Sequence, residues 1–334
     1  MNSTPRISVL MTVFNAGRFL AESVESILAQ TFRDFEFVIV DDASTDGSPA
    51  VLESYARRDP RIRLIFQKEN SGQTACLNQG LGECRADWVA RQDADDLSHP
   101  PRLAAQWQAV ENKPSLVLLG VNGWIIGETG GFDGMIHVPI HDAGIRWSLP
   151  FRNPFIHTGV LFRRFHPDGS PVRYNPEFRI CQDWELWSRV TSDGAVANLP
   201  GRLVTYRHTK SSLSNNSSAR TREENRAIVE NIWRKNFPDR NLTAQEASLL
   251  ESFREGLAPG LWPAFQNFYA NVRKEWLSKR IRDRQSEAMH MIQAAGALAG
   301  PAPLAAASAM LSAFSTDPAW TAKTFWLRFV HTGH

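Results

Sequence analysis

The sequence predicts an α/β protein: a mostly parallel sheet flanked by helices, followed by a helical C-terminal extension. Three observations predict it. Short apolar runs alternate with segments of helical period through the first hundred residues, the signature of βαβ units. Two of those runs end in acidic clusters, Asp41-Asp42 and Asp93-Ala94-Asp95-Asp96. From about residue 219 onward the apolar spacing is helical.

Each element follows from local pattern. Ile7–Val13 is continuously apolar, as a strand buried on both faces requires. Arg18–Thr31 puts Leu20, Val24, Ile27 and Leu28 on one helical face. Phe35–Val40 is the second strand, and Ser44, Thr45 and Asp46 offer caps for a helix running to about Arg58. Arg63–Gln67, Gln73–Glu83 and Asp87–Gln92 continue as strand, helix and strand. A βαβαβαβ order favours parallel strands with helices on both faces. Beyond the acidic cluster come a helix at Pro101–Asn112, a strand at Ser115–Val121 and a glycine-rich loop or hairpin at 127–134. Ile156–Arg163 reads as a strand, Asp183–Val190 as a helix and Arg202–Arg207 as a strand. The polar run Lys210–Ser218 reads as a linker, and Thr243-Ala244-Gln245-Glu246 as a capping box. A boundary near 212 divides a domain of residues 1–212 from an α-helical extension, 213–334.

Composition narrows the class. The 334 residues are 43% hydrophobic and 22% charged, an ordinary globular balance. A net charge of +2 creates no demand for a nucleic-acid partner. Cys76, Cys84 and Cys181 fit no metal-ligand spacing, and so sparse a set suits reduced thiols in a cytoplasmic protein. The N-terminus lacks a signal-peptide pattern. Residues 288–316 carry no Asp, Glu, Lys or Arg, but Gly300-Pro301-Ala302-Pro303 divides them below the roughly 20 apolar residues that a spanning helix needs.

The acidic clusters carry the chemistry. Three carboxylates within Asp93–Asp96 repel one another unless a cation or hydrogen-bond donors compensate. The turn after the first strand, Phe14-Asn15-Ala16-Gly17-Arg18, has one glycine and no Gly-x-Gly-x-x-Gly, which disfavours seating a pyrophosphate on a helix N-terminus. A divalent metal, Mg²⁺ or Mn²⁺, held by Asp95 can neutralise a diphosphate instead, with Asp93 facing ribose or sugar hydroxyls and Asp96 ligating the metal or holding the loop. Thr12 and Phe14 end the first strand, where backbone groups and a ring can hold a base. Asp42 can accept from a uracil imide, whereas Asp41 reads equally well as a turn cap. Asp183 suits a general base for an attacking hydroxyl, and it also suits a helix cap.

The ordered motifs resemble glycosyltransferase family 2. Ser8–Asn15 with Ile27–Thr31 is similar to that family's opening, and Val40–Gly47 to its second signature. Asn70-Ser71-Gly72, Leu77-Asn78-Gln79-Gly80 and Asp93-Ala94-Asp95-Asp96 resemble the next ones, and Gln182–Trp187 with Tyr206-Arg207-His208 completes the series over about residues 5–212. The resemblance implies the Rossmann-like GT-A fold and sugar transfer with inversion from a nucleotide donor. It implies donor contacts at Thr12, Phe14, Asp42, Gln73, Asn78 and Asp93, metal ligation by Asp95 and Asp96, a metal ligand or diphosphate contact at His208, and Asp183 as the base. It also implies a segment near the acceptor at Phe155–Gly159, including His157. One departure stands out: the family usually shows Glu-Asp where this chain has Gln182-Asp183, which changes the surroundings of the base.

The expected reaction is metal-assisted transfer from a nucleotide sugar, a UDP-sugar, to a glycan or lipid-linked acceptor, by a cytoplasmic protein or one peripheral on the cytoplasmic face of a membrane. A sugar-nucleotide-binding scaffold with little turnover is the rival that Gln182 supports. A nucleotidyltransferase would need a glycine-rich N-terminal loop ending in Arg or Lys, which is absent. Trp184 and Trp187 suit either a sugar floor or helix packing. Arg273, Lys274, Lys279, Arg280, Arg282 and Arg284 beside Trp276, Leu277 and Ile281 suit either a membrane-surface helix or a solvated face.

Overall fold

The computed structural model describes residues 4–209, 219–238, 240–255 and 259–278. The linker 210–218, the basic residues Lys279–Arg284 and the Ala/Gly-rich 288–316 lie outside the described residues. The chain forms two compact units: Met1–Val138 with Phe155–Asn215, and Pro139–Pro154 with Asn216–His334.

The first unit is built on strands β1 (Ile7–Val13), β2 (Phe35–Asp41), β3 (Ile62–Phe66), β4 (Trp88–Asp93), β5 (Leu97–Ser98), β6 (Leu116–Gly127), β7 (Phe132–Ile136), β8 (Leu161–Arg163) and β9 (Ala195–His208). They join one sheet in the order β3-β2-β1-β4-β8-β6-β9-β5, with β7 on β6. β3, β2, β1 and β4 are parallel, and the far half is mixed, with β8 antiparallel to both β4 and β6. β1 and β2 are buried along their whole length, which is why their sequences are continuously apolar and not alternating. Helix α1 (Leu20–Leu28) lays Leu20, Val24 and Ile27 on this core. Helices α2 (Ser48–Ala56), α3 (Gln73–Glu83) and α4 (Arg102–Asn112) complete the crossovers. Gly80 lets α3 approach β1 closely, since a Cβ there would collide with Leu10.

Two elements differ from the sequence expectation. Of Ile156–Arg163 only Leu161–Arg163 is strand; His157–Gly159 is a 3-10 turn. Gly159 lies so close to β6 that an added Cβ would be 2.7 Å from Val121 Cγ2. β9 begins at Ala195 and absorbs Pro200-Gly201 in a register shift against Val121/Asn122. The 127–134 segment is a hairpin, one of its two expected readings, with β6 ending at Gly127 and β7 starting at Phe132.

The second unit holds α5 (Asp142–Ser148), α7 (Ala219–Asn236), α8 (Ala244–Glu255) and α9 (Trp262–Ser278); α6 (Gln182–Val190) belongs to the first. Buried rings of Trp147, Phe151, Phe253, Phe265 and Tyr269 pack together there. The capping box is formed: Glu246 N–H donates to Thr243 Oγ1 at 3.2 Å, and Thr243 N–H donates to Glu246 Oε2 at 3.0 Å.

Candidate active site

The chain reverses its direction of sheet growth at β1, with β2 added on one side and β4 on the other. A crevice at the carboxyl ends of strands is the usual ligand position at such a point. Here Thr12 pairs with Val40 on one side and Asp93 on the other. The ends of β1 and β2 also carry the two non-glycine residues with positive φ among the described residues, Asn15 (49°) and Ala43 (57°). Such residues are held only where surrounding contacts impose the conformation. Ser44 Oγ accepts Asn15 N–H at 2.9 Å, and Asn15 Oδ1 accepts Thr45 N–H at 2.8 Å, so the strand ends are tied together. Phe14 projects beyond them, 52% exposed.

The acidic turn divides its labour among its carboxylates. Asp93 Oδ1 accepts from the buried Arg91 guanidinium at 2.7 Å, and its backbone N–H donates to Thr158 Oγ1 at 3.0 Å. Asp96 is fully buried and its Oδ1 accepts Arg207 N–H at 2.7 Å. Burial, then the charges of Asp95 and Asp93, push its carboxyl well above the ordinary value. Of the two roles expected of Asp96, ligating a metal or holding the loop, the second is the one its inward Oδ1 performs here, by anchoring the end of β9. Among the described residues Asp95 has no side-chain ion pair, and its carboxyl is raised to about 6 by burial and by Asp93. The turn itself is pinned by Gln92 Nε2, which donates to Asp93 O at 3.1 Å and Asp96 O at 2.8 Å, and by the buried Arg102, which donates to Arg91 O at 2.8 Å.

Asp42, 3% exposed, accepts Ser71 N–H at 2.7 Å and Gly72 N–H at 2.8 Å, holding the turn that opens α3. Gly72 has φ 86°, which suits glycine at this turn. Gln73, the first residue of α3, accepts from Gln182 Nε2 at 2.8 Å, so the donor-side helix meets the start of α6. Asn78 faces elsewhere. Its amide donates to Tyr174 O and accepts Tyr174 N–H, both at 2.8 Å, so it clamps a backbone segment, and its assignment as a donor contact is corrected on that ground.

Asp183 stands in the first turn of α6, where its Oδ1 accepts Trp184 N–H at 2.7 Å. Trp187 is fully buried against Phe155, Phe162, His157 and Tyr174, which makes it packing and not a sugar floor. His157 joins the two sides of the crevice: Nδ1 lies 4.0 Å from Asp93 Oδ2, and Nε2 is 3.0 Å from Tyr174 Oη. Burial, helped by the Arg91 charge, lowers its imidazole to about 3, so it is neutral at ordinary pH.

The expected metal ligands are not gathered into one cluster. Among the described residues no three His, Cys, Asp or Glu side chains come together to hold an ion. His208 ends β9 with Nδ1 3.3 Å from Asp133 Oδ2, across the hairpin. The donor set nevertheless fits a hard cation, because Mg²⁺ and Mn²⁺ are commonly held by one or two carboxylates together with substrate phosphates, and Asp95 supplies a desolvated carboxylate. Sequence reasoning passed over Arg91, whose only signal is a basic residue in an apolar strand, and it quoted Arg207 within a motif without giving it a role.

A mostly parallel sheet with an acidic turn at its switch point defines an α/β fold whose ligand crevice lies at the carboxyl ends of the strands. A family model described as glycosyl transferase family 2 matches residues 8–167. The chain is 31% identical over 214 residues to the O-antigen biosynthesis glycosyltransferase WbnJ of Escherichia coli, covering 61% of this chain and 81% of that one. It is 32% identical over 204 residues to the amylovoran biosynthesis glycosyltransferase AmsE of Erwinia amylovora, covering 60% and 75%. The structure of S. aureus TarS 1-349 in complex with UDP-GlcNAc aligns over 94% of this chain and 83% of that one, with TM-score 0.59 and 16% identity. The mannosyltransferase PcManGT from Pyrobaculum calidifontis, in complex with GDP-Man and Mn²⁺, aligns over 95% and 88%, with TM-score 0.54 and 16% identity. The chain belongs to glycosyltransferase family 2; it is a glycosyltransferase, and its fold is GT-A.

Proposed function

We propose that the enzyme transfers a sugar, with inversion at C1, from a UDP-sugar to a glycan or lipid-linked acceptor in bacterial polysaccharide assembly. The observation that carries this reading is the meeting of Thr12 and Asp93 at the switch point, directly before a turn in which Asp95 is a largely desolvated carboxylate without an ion pair among the described residues. Relatives named for O-antigen and amylovoran biosynthesis support the polysaccharide, and neighbours holding UDP-GlcNAc and GDP-Man support a nucleotide sugar. A lipid-linked acceptor would bring the reaction to the cytoplasmic face of a membrane. No helix among the described residues is long and apolar enough to cross one.

Thr12, Phe14 and the Asp42 turn hold the base, Asp93 the ribose, and Gln73 the sugar side. The acceptor oxygen attacks C1 as the C1–O bond to the diphosphate breaks. Asp183 takes the acceptor's proton, and the negative charge departs on the nucleoside diphosphate. Asp95 would hold a divalent metal, which supplies charge stabilisation to that leaving group. Gln182, bonded to Gln73, brings no second charge beside the base, so Asp183 works as a single carboxylate. Calorimetry of UDP and GDP with and without Mn²⁺ tests the reading. Asp95→Ala should remove the metal-dependent part of UDP affinity while leaving the fold intact, and unchanged affinity with Mn²⁺ would remove Asp95 from the metal site.

A further inference from the structure

Beneath the proposed donor site lies a cation to which the mechanism gives no role. Arg91 sits in β4, and its side chain has no solvent exposure. A guanidinium keeps its charge, so burying one is costly unless its donors are met. They are met on one side only. One Nη donates to Leu10 O at 3.2 Å, and the other donates to Thr12 Oγ1 at 3.2 Å and to Asp93 Oδ1 at 2.7 Å. Nε is buried with no acceptor. A residue serving the core alone would gain by satisfying all its donors, since an unmet buried donor carries its full desolvation cost. This one leaves Nε unmet and keeps its fork on the two residues that end β1 and β4. Arg91 and Asp93 are two apart on one strand and so share a face, and Thr12 is Asp93's register partner on the neighbouring strand.

We propose that Arg91 is a positioning residue for donor recognition: it fixes Asp93 by Oδ1 against Thr12, presenting Oδ2 to the ribose hydroxyls of the nucleotide. The inference rests on the reading of Asp93 as the ribose contact and deepens it. Its consequence is selective. Loss of the fork should weaken recognition of the ribose and spare recognition of the diphosphate and of the base, which is read by the backbone at Thr12 with Phe14 and the Asp42 turn, whereas the fork touches only the Thr12 side chain.

The test is calorimetric titration, with Mn²⁺ present, of UDP and of 2′,3′-dideoxy-UDP into the full chain and its Arg91→Met, Arg91→Lys and Asp93→Asn variants, each checked for folding by circular dichroism. Hydrogen bonds to a charged group imply that the wild type prefers UDP by about 10- to 100-fold. Asp93→Asn should remove most of that preference. Arg91→Met should reduce it to within about threefold of unity and leave dideoxy-UDP affinity near the wild-type value. Arg91→Lys keeps the charge but cannot bridge Thr12 and Asp93, so its preference should be intermediate, and it carries the test alone if Arg91→Met does not fold. If Asp93→Asn loses the preference and the folded Arg91 variants keep it, the Arg91 proposal is overturned and the ribose reading stands. If Asp93→Asn itself keeps the wild-type preference, the ribose reading falls and the proposal with it.

Discussion

Among single residues, Asp183 separates chemistry from binding. In the first turn of α6 it accepts the Trp184 N–H at 2.7 Å. An asparagine can still accept that bond through its side-chain oxygen but cannot take a proton. Asp183→Asn should therefore lower transfer by about 10²–10⁴-fold, the usual contribution of a general base, while UDP affinity stays unchanged. A steady-state assay beside a nucleotide titration checks this. Near-wild-type transfer would exclude the base assignment, and loss of both activities would make the Gln182-Asp183 turn structural. The residues of this site were unequally legible. Asp93, Asp95 and Asp183 stand in local motifs whose carboxylates declare themselves. Asn78 stands in a motif too, yet its amide is spent on Tyr174, 96 positions away, a partner that no local pattern shows. Arg91 carries no such local signal, because its partners Leu10 and Thr12 belong to another strand.

Among elements, the parallel half of the sheet was legible because fully buried strands write continuous apolar runs, and because the crossovers between them are helices of clear period. The far half was less so. Pro200-Gly201 looks like a turn between elements, but β9 passes through it as a bulge, with Asn122 Nδ2 donating to Pro200 O at 3.1 Å. A charged residue inside β2, Glu36, makes a prediction of its own. Its carboxylate is 2% exposed and accepts from Ser8 Oγ at 2.6 Å, Arg85 Nε at 2.7 Å and Arg63 Nη1 at 3.0 Å, so it links β1, β2 and β3 to the end of α3. Burial alone would raise its pKa; these donors outweigh it and hold the group below its ordinary 4.5. A depressed carboxylate contributes stability that is present above the unfolded-state value and lost as pH falls through the folded one. Glu36→Gln should cost about 1–3 kcal/mol at pH 7. The gap between variant and wild type should close as pH drops below 4.5. Denaturation midpoints between pH 7 and 3 measure it, and a gap that stays constant would show that the charge of Glu36 is not what matters.

For the whole molecule, the two units allow binding and stability to be perturbed separately. Every residue given a donor or catalytic role, from Thr12 to Asp183, belongs to the first unit, whereas 139–154 leaves the catalytic sequence midway to pack with the C-terminal helices. The basis of that excursion is aromatic. Phe151 is fully buried, with ring centroids 5.3 Å from Trp147, 5.4 Å from Tyr269 and 6.4 Å from Phe253, and Trp147 Nε1 donates to Tyr269 Oη at 3.0 Å. Removing a buried phenylalanine loses its transfer free energy and leaves a cavity, together about 3–5 kcal/mol. Phe151→Ala should therefore destabilise the second unit by that amount in chemical denaturation. UDP affinity with Mn²⁺ should stay within about twofold of wild type, because no proposed donor contact depends on that core. An unchanged denaturation profile would mean that Phe151 does not anchor 139–154. A lower denaturation midpoint together with a several-fold loss of UDP affinity would mean that the excursion helps to shape the donor site, and that binding and the second unit's packing are linked through the chain itself.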